Sequence, residues 1–136
     1  MKTPIKILII DDNEEIINVL YSFFINRRYN VSTAINGLDG LKLIEADNIS
    51  FDLIITDLVM PNISGTAIIT IVKKKYPTIP IIAITGWGEH PGALAAEAQA
   101  DVILEKPFDL SELEKIVKKL LVKKTDRHKH GGRKKS

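Results

Sequence analysis

The chain has 136 residues, 45% of them hydrophobic and 26% charged, the balance of one folded domain rather than a disordered segment. It contains no cysteine, which excludes disulfide frameworks, thiolate-bound zinc, iron–sulfur clusters and thiol catalysis. Its net charge of +2 conceals a split: residues 123–136 hold seven Lys/Arg against Asp126 alone, a net +6, which leaves −4 on residues 1–122.

Short apolar runs alternate with amphipathic stretches five times along the chain. Ile5–Ile10 reads as a fully buried strand, ended by Asp11 and Asp12. Asn13–Arg28 reads as a helix with Ile16, Val19, Leu20, Phe23 and Phe24 inward, acids at its start and arginines at its end. Val31–Ile35 is more polar, as an edge strand can be, and residues 37–47 form a second helix. Leu53–Thr56 is the third strand. Ser64–Lys75 is a helix with Ala67, Ile68, Ile71 and Val72 inward. Ile79–Thr85 is the fourth strand, with Pro80 near its beginning, followed by an alanine-rich helix over Glu89–Gln99. Val102–Leu104 is the fifth strand. The last helix starts at Asp109 with Glu112 as a capping box, and turns Leu113, Ile116, Val117, Leu120 and Leu121 to the core.

Strands and helices alternating with short connections imply an α/β, doubly wound parallel sheet covered on both faces. Such a sheet carries its functional crevice at the carboxyl ends of the strands. Asp11 and Asp12 end strand 1, Asp57 ends strand 3, Thr85 ends strand 4, and Lys106 follows strand 5, so all five share one rim. Asp52 and Asp101 begin their strands and fall at the opposite pole.

Three carboxylates at one rim repel: two unit charges 4 Å apart cost about 4 kcal/mol at an effective dielectric of 20. One must be protonated, or a cation must be present. A few oxygen ligands with room left for water and a phosphoryl group suit Mg²⁺ better than Ca²⁺. A Lys106 ammonium and a Thr85 hydroxyl beside them complete a set suited to phosphoryl transfer onto an aspartate.

In this order and spacing, Asp11-Asp12, Asp57 with Met60-Pro61 and Gly65, Thr85-Gly86 and Lys106-Pro107-Phe108 resemble the receiver domains of two-component response regulators over about residues 4–122. The resemblance implies a flavodoxin-like (βα)5 fold with strand order 2-1-3-4-5. Asp57 would accept phosphate from a sensor histidine kinase or a histidine phosphotransfer protein. Asp12, Asp57 and the backbone carbonyl of Val59 would bind Mg²⁺ directly, and Asp11 mostly through water. Lys106 would contact the phosphoryl group, Thr85 would move toward it, and the Lys106-Pro107 bond would be cis. Such a chain is a signalling switch rather than an enzyme, acting on a downstream target or output domain. Residues 1–122 would be the receiver and 123–136 a basic flexible tail or linker stub.

The sequence departs from the family at Ile103, which stands where receivers often place a rotating Tyr or Phe. Val59 and Trp87 each lie two residues beyond a rim residue, and both are expected to hinder water's in-line approach and prolong the phosphorylated state. Two other readings stay open. A Mg²⁺-dependent phosphohydrolase with an aspartyl-phosphate intermediate would need a second acid where Val59 stands, and a cap insertion. The basic tail admits a solvated extension, attraction to nucleic acid or anionic membrane, or a metal site at His128 and His130. No apolar run reaches the ~18–20 residues of a membrane span, and a cytoplasmic location is expected.

Overall fold

In the computed structural model, residues 4–46, 50–60, 62–86 and 99–133 are described, with the backbone alone from 123 to 133. Five strands, β1 (Lys6–Ile10), β2 (Asn30–Ala34), β3 (Leu53–Asp57), β4 (Ile81–Thr85) and β5 (Val102–Glu105), pair in parallel in the order β2-β1-β3-β4-β5. This is the flavodoxin-like order implied by the resemblance to receiver domains. The described helices are α1 (Glu14–Asn26), α2 (Gly37–Ile44), α3 (Gly65–Lys75) and α4 (Leu110–Arg133). The helix expected over Glu89–Gln99, Pro61 and Trp87 fall outside the described residues, except that Gln99 itself forms a turn with φ 73°.

Side chains alternate across a strand, so the apolar runs supply two cores at once. Leu8, Ile10, Ile54, Ile81 and Ala83 face one layer, where Ile44 of α2 and Ile68, Ile69 and Val72 of α3 cover them. Ile7, Ile9, Leu53, Ile55, Ile82 and Ile84 face the other, under Ile17, Leu20 and Phe24 of α1 and Leu113, Val117 and Leu120 of α4. β3 and β4 are therefore buried throughout and β1 from Ile7 onward, whereas edge strand β2 is mostly half-buried.

The helices begin where capping chemistry puts them. Asn13 accepts from the backbone N–H groups of Glu15 and Ile16, Asn36 from Asp39, and Ser64 from Ala67. The inward stripe of α1 is rotated from the expected one: Ile17 is buried, and Val19 is 52% exposed. Both stripes satisfy a 3.6-residue period, and packing against Ile7 and Ile9 selects the one containing Ile17, Leu20 and Phe24. In α3, Ile69 likewise replaces Ile71 as a fully buried residue.

The last helix differs more. Its core face matches expectation through Leu120 and half-buried Leu121, but the helical backbone continues to Arg133 where a flexible extension is expected from residue 123. Adding residues to an existing helix avoids the nucleation cost, and Lys and Arg are good helix formers as far as Gly131-Gly132, which oppose the last turn. Loss of an apolar stripe therefore does not end a helix.

Candidate functional site

Strand register builds the site. Ile10 pairs with Thr56, so the residues that follow, Asp11 and Asp57, emerge side by side. Asp57 pairs with Ile84 and Thr85 with Glu105, which sets Thr85 and the start of the β5–α4 turn on the same rim. That turn is tied down by the Lys106 N–H, which donates to the Thr85 carbonyl at 3.0 Å, and the Lys106-Pro107 bond is cis.

One carboxylate oxygen from each of Asp11, Asp12 and Asp57 lies within 4.8 Å of the other two. At that spacing each charged pair costs about 3–4 kcal/mol at an effective dielectric of 20. Lys106 Nζ stands 3.6 Å from Asp11 Oδ2 and 3.9 Å from Asp57 Oδ2, close enough for ion pairing and too far for a hydrogen bond. The two neighbouring acids that follow β1 have different roles. Asp11 is 1% exposed and Asp12 is open to solvent. Asp11 Oδ1 accepts from the Asn13 N–H at 2.9 Å, but its Oδ2 is buried with no hydrogen-bond partner.

Burial pushes the Asp57 carboxyl up from 3.8 to about 6, and the Asp11 and Asp12 charges add to the rise against the pull of Lys106 and a backbone hydrogen bond from Val59. Burial also raises Asp11, against the Asn13 hydrogen bond and the Lys106 charge. The rim is thus short of positive charge. An orphaned buried carboxylate oxygen, an exposed carboxylate and a third acid converging on one point fit a hard divalent cation with oxygen ligands.

Thr85 is buried at the end of β4, and Val59, beside Asp57, is 52% exposed. Ile103 is 37% exposed on β5, so its side chain meets solvent rather than filling a socket. Two further residues shape the rim. Asn13, absent from the expected set, holds Asp11 through its backbone N–H, signalled by the Asp-x-Asn spacing of an Asx turn. At Gly65 the backbone of α3 approaches Asp57 so closely that a Cβ would overlap the Asp57 carbonyl oxygen. The Gly65 N–H donates to the Leu58 carbonyl at 3.0 Å, which locks the β3–α3 loop beneath the acid.

Among the described residues no helix is long and apolar enough to cross a membrane. A family model, the response regulator receiver domain, matches residues 7–118. Response regulator SaeR of Staphylococcus epidermidis is 34% identical over 108 residues, covering 79% of this chain and 46% of that protein. SaeR of Staphylococcus aureus is 29% identical over 123 residues, covering 90% and 53%. The chain thus spans about half the length of these curated relatives. Among solved structures, a receiver domain protein from Clostridium thermocellum superposes with a TM-score of 0.82 at 30% identity, covering 89% of this chain and 97% of its own. A CheY-like receiver domain protein from Methanospirillum hungatei JF-1 gives 0.86 at 26% identity, covering 92% and 99%. Strand order, rim and family match agree, and the chain belongs to the response regulator receiver domains of two-component systems.

Proposed function

We propose that Asp57 accepts a phosphoryl group from the phosphohistidine of a sensor histidine kinase or phosphotransfer protein, with Mg²⁺ held by Asp11, Asp12, Asp57 and the Val59 carbonyl. The observation that carries this reading is the convergence of three carboxylates, one with an orphaned buried oxygen, on a rim that also holds Lys106. When bound, Mg²⁺ supplies charge neutralisation and a template for phosphoryl oxygens.

The protein's own groups do the rest. An ionised Asp57 oxygen attacks phosphorus, an O–P bond forms, and the N–P bond to the donor imidazole breaks. The imidazole nitrogen keeps the electron pair and takes up a proton. Lys106 turns from the carboxylates to the incoming phosphoryl oxygens, which carry more charge. The Thr85 hydroxyl donates to another of them, and this shift communicates the modified state to a downstream target. With no aromatic at position 103, the message travels without a ring rotation. Apolar Val59 stands at the mouth and hinders attacking water, which lengthens the life of the phosphoaspartate. A donor phosphorylated from ATP places the exchange in the cytoplasm. The phosphohydrolase alternative would need an acid where Val59 stands.

Incubation with acetyl phosphate and Mg²⁺ tests the reading by intact mass. Wild type is expected to gain one phosphoryl group mapping to Asp57, with no gain in Asp57→Asn or in chelator. A gain that persists in Asp57→Asn, or none in wild type, overturns it.

A further inference from the structure

The basic segment after residue 122 plays no part in the phosphoryl chemistry and lies beyond the family match, which ends at residue 118. It is nevertheless continuous with α4, whose helical backbone runs unbroken from Leu110 to Arg133. Among the described side chains of that helix, Leu120 is the last fully buried one, Leu121 is half-buried against the core, and Val122 is 60% exposed. At 1.5 Å per residue, the helical backbone from 123 to 133 is roughly 16 Å long.

Its composition narrows what it can bind. Lys115, Lys119, Lys123 and Arg127 recur every four residues, as do Lys129 and Arg133. Like charges at this spacing destabilise an isolated helix, so the segment gains from an anionic partner. Residues 123–136 contain no residue from Ala, Val, Ile, Leu, Met, Phe, Trp, Tyr or Cys. Without an apolar stripe it cannot bury a face in a lipid headgroup layer. With no Phe, Tyr or Trp, and only the small rings of His128 and His130, it offers a poor platform for stacking the bases of a single strand. A helical backbone whose sequence places Lys or Arg at four-residue intervals, with the roughly 10–12 Å diameter of a helix, suits the phosphate rows flanking a duplex major groove about 12 Å wide. A polyanion also outcompetes the −4 receiver for this +6 segment.

From these features we infer that the α4 extension is a duplex nucleic-acid-binding arm that reads phosphates rather than base sequence. This is independent of the phosphoryl-acceptor reading, because no residue of the arm belongs to the rim.

Fluorescence anisotropy of the full chain with a labelled 20-base-pair DNA duplex tests it. With about five phosphates contacted, affinity is expected to fall roughly 500-fold between 50 and 200 mM salt, and to be indifferent to sequence. The fourfold variant Lys123→Gln, Lys124→Gln, Arg127→Gln, Lys129→Gln keeps good helix formers and is expected to lose binding while phosphoryl uptake from acetyl phosphate is unchanged. Unchanged affinity in that variant, binding insensitive to salt, or tighter capture by phosphatidylserine-containing vesicles than by duplex each overturns the inference. Failed phosphoryl uptake with intact duplex binding would instead count against the acceptor reading alone.

Discussion

The two poles of the sheet use the same residue type for opposite ends. At the amino ends, Asp52 accepts from the Lys6 N–H at 2.9 Å, and Asp101 accepts from the Ile81 N–H at 2.8 Å and from Lys73 Nζ at 2.6 Å. These acids satisfy backbone donors where strands begin, and they hold β1 and β4 in place. At the carboxyl ends, Asp11, Asp12 and Asp57 are pressed together with one buried oxygen that has no hydrogen bond. One set of acids stabilises the fold. The other is destabilising until something charged arrives, which is the property a switch needs.

The largest effect should come from Asp57→Asn, which separates the poles in both activity and stability. Phosphoryl uptake should vanish. The folded carboxyl sits near 6 against 3.8, so the folded state binds its proton more tightly than the unfolded chain does. The stability this gives is complete below pH 3.8 and is lost as pH rises through about 6. Removing the acid should therefore stabilise the ion-free protein by about 3 kcal/mol at pH 8 and by only about 0.5 kcal/mol at pH 4. Urea denaturation at the two pH values measures the difference, and millimolar Mg²⁺ at pH 8 should shrink it by stabilising wild type alone. An Asp57→Asn variant less stable than wild type at pH 8 would erase the contrast between the poles.

Gly65→Ala probes the rim through its backbone. The new Cβ would overlap the Asp57 carbonyl, so the β3–α3 loop must move, at a cost of about 2–3 kcal/mol. Because the shift displaces Asp57 itself, uptake should slow as well. Wild-type stability and rate in this variant would show that the close approach is not a constraint.

At the other pole, Asp101→Ala should cost about 1–3 kcal/mol by leaving the Ile81 N–H without its acceptor and half-buried Lys73 with the Ile79 carbonyl but no carboxylate. Phosphoryl uptake per folded molecule should not change. The sign is opposite to that of Asp57→Asn, and thermal denaturation beside an uptake assay reads both.

How much of this the sequence foretells depends on the scale of the feature. Strand order and the shared rim follow from where apolar runs stop: Asp11 and Asp57 are neighbours because both end buried strands in matching register. The rotation of α1 was not legible, since Val19 and Ile17 satisfy the period equally and only the sheet beneath distinguishes them. Nor could two adjacent aspartates reveal which is buried. That is decided by the chain's turn into Asn13, whose N–H holds Asp11 inward while Asp12 faces water. The helical run past residue 122 was also hidden, because periodicity reports packing and not helicity.

The smallest effect isolates backbone cost at the structural pole. Arg28, after α1 and before β2, has φ 71°, a left-handed conformation that opposes its Cβ. Its N–H still closes the helix by donating to the Ile25 carbonyl at 3.0 Å, a bond glycine would keep. Arg28→Gly should therefore raise stability by about 0.5–1 kcal/mol, with phosphoryl uptake unchanged. Asn62, with φ 70° in the β3–α3 loop beside the rim, is already a residue that tolerates this region, so Asn62→Gly should gain less. Equal gains at the two positions would mean that the side chain of Asn62 does nothing to hold the loop under Asp57. A larger gain at Arg28, read from paired urea midpoints, keeps the strain at the pole where no chemistry depends on it.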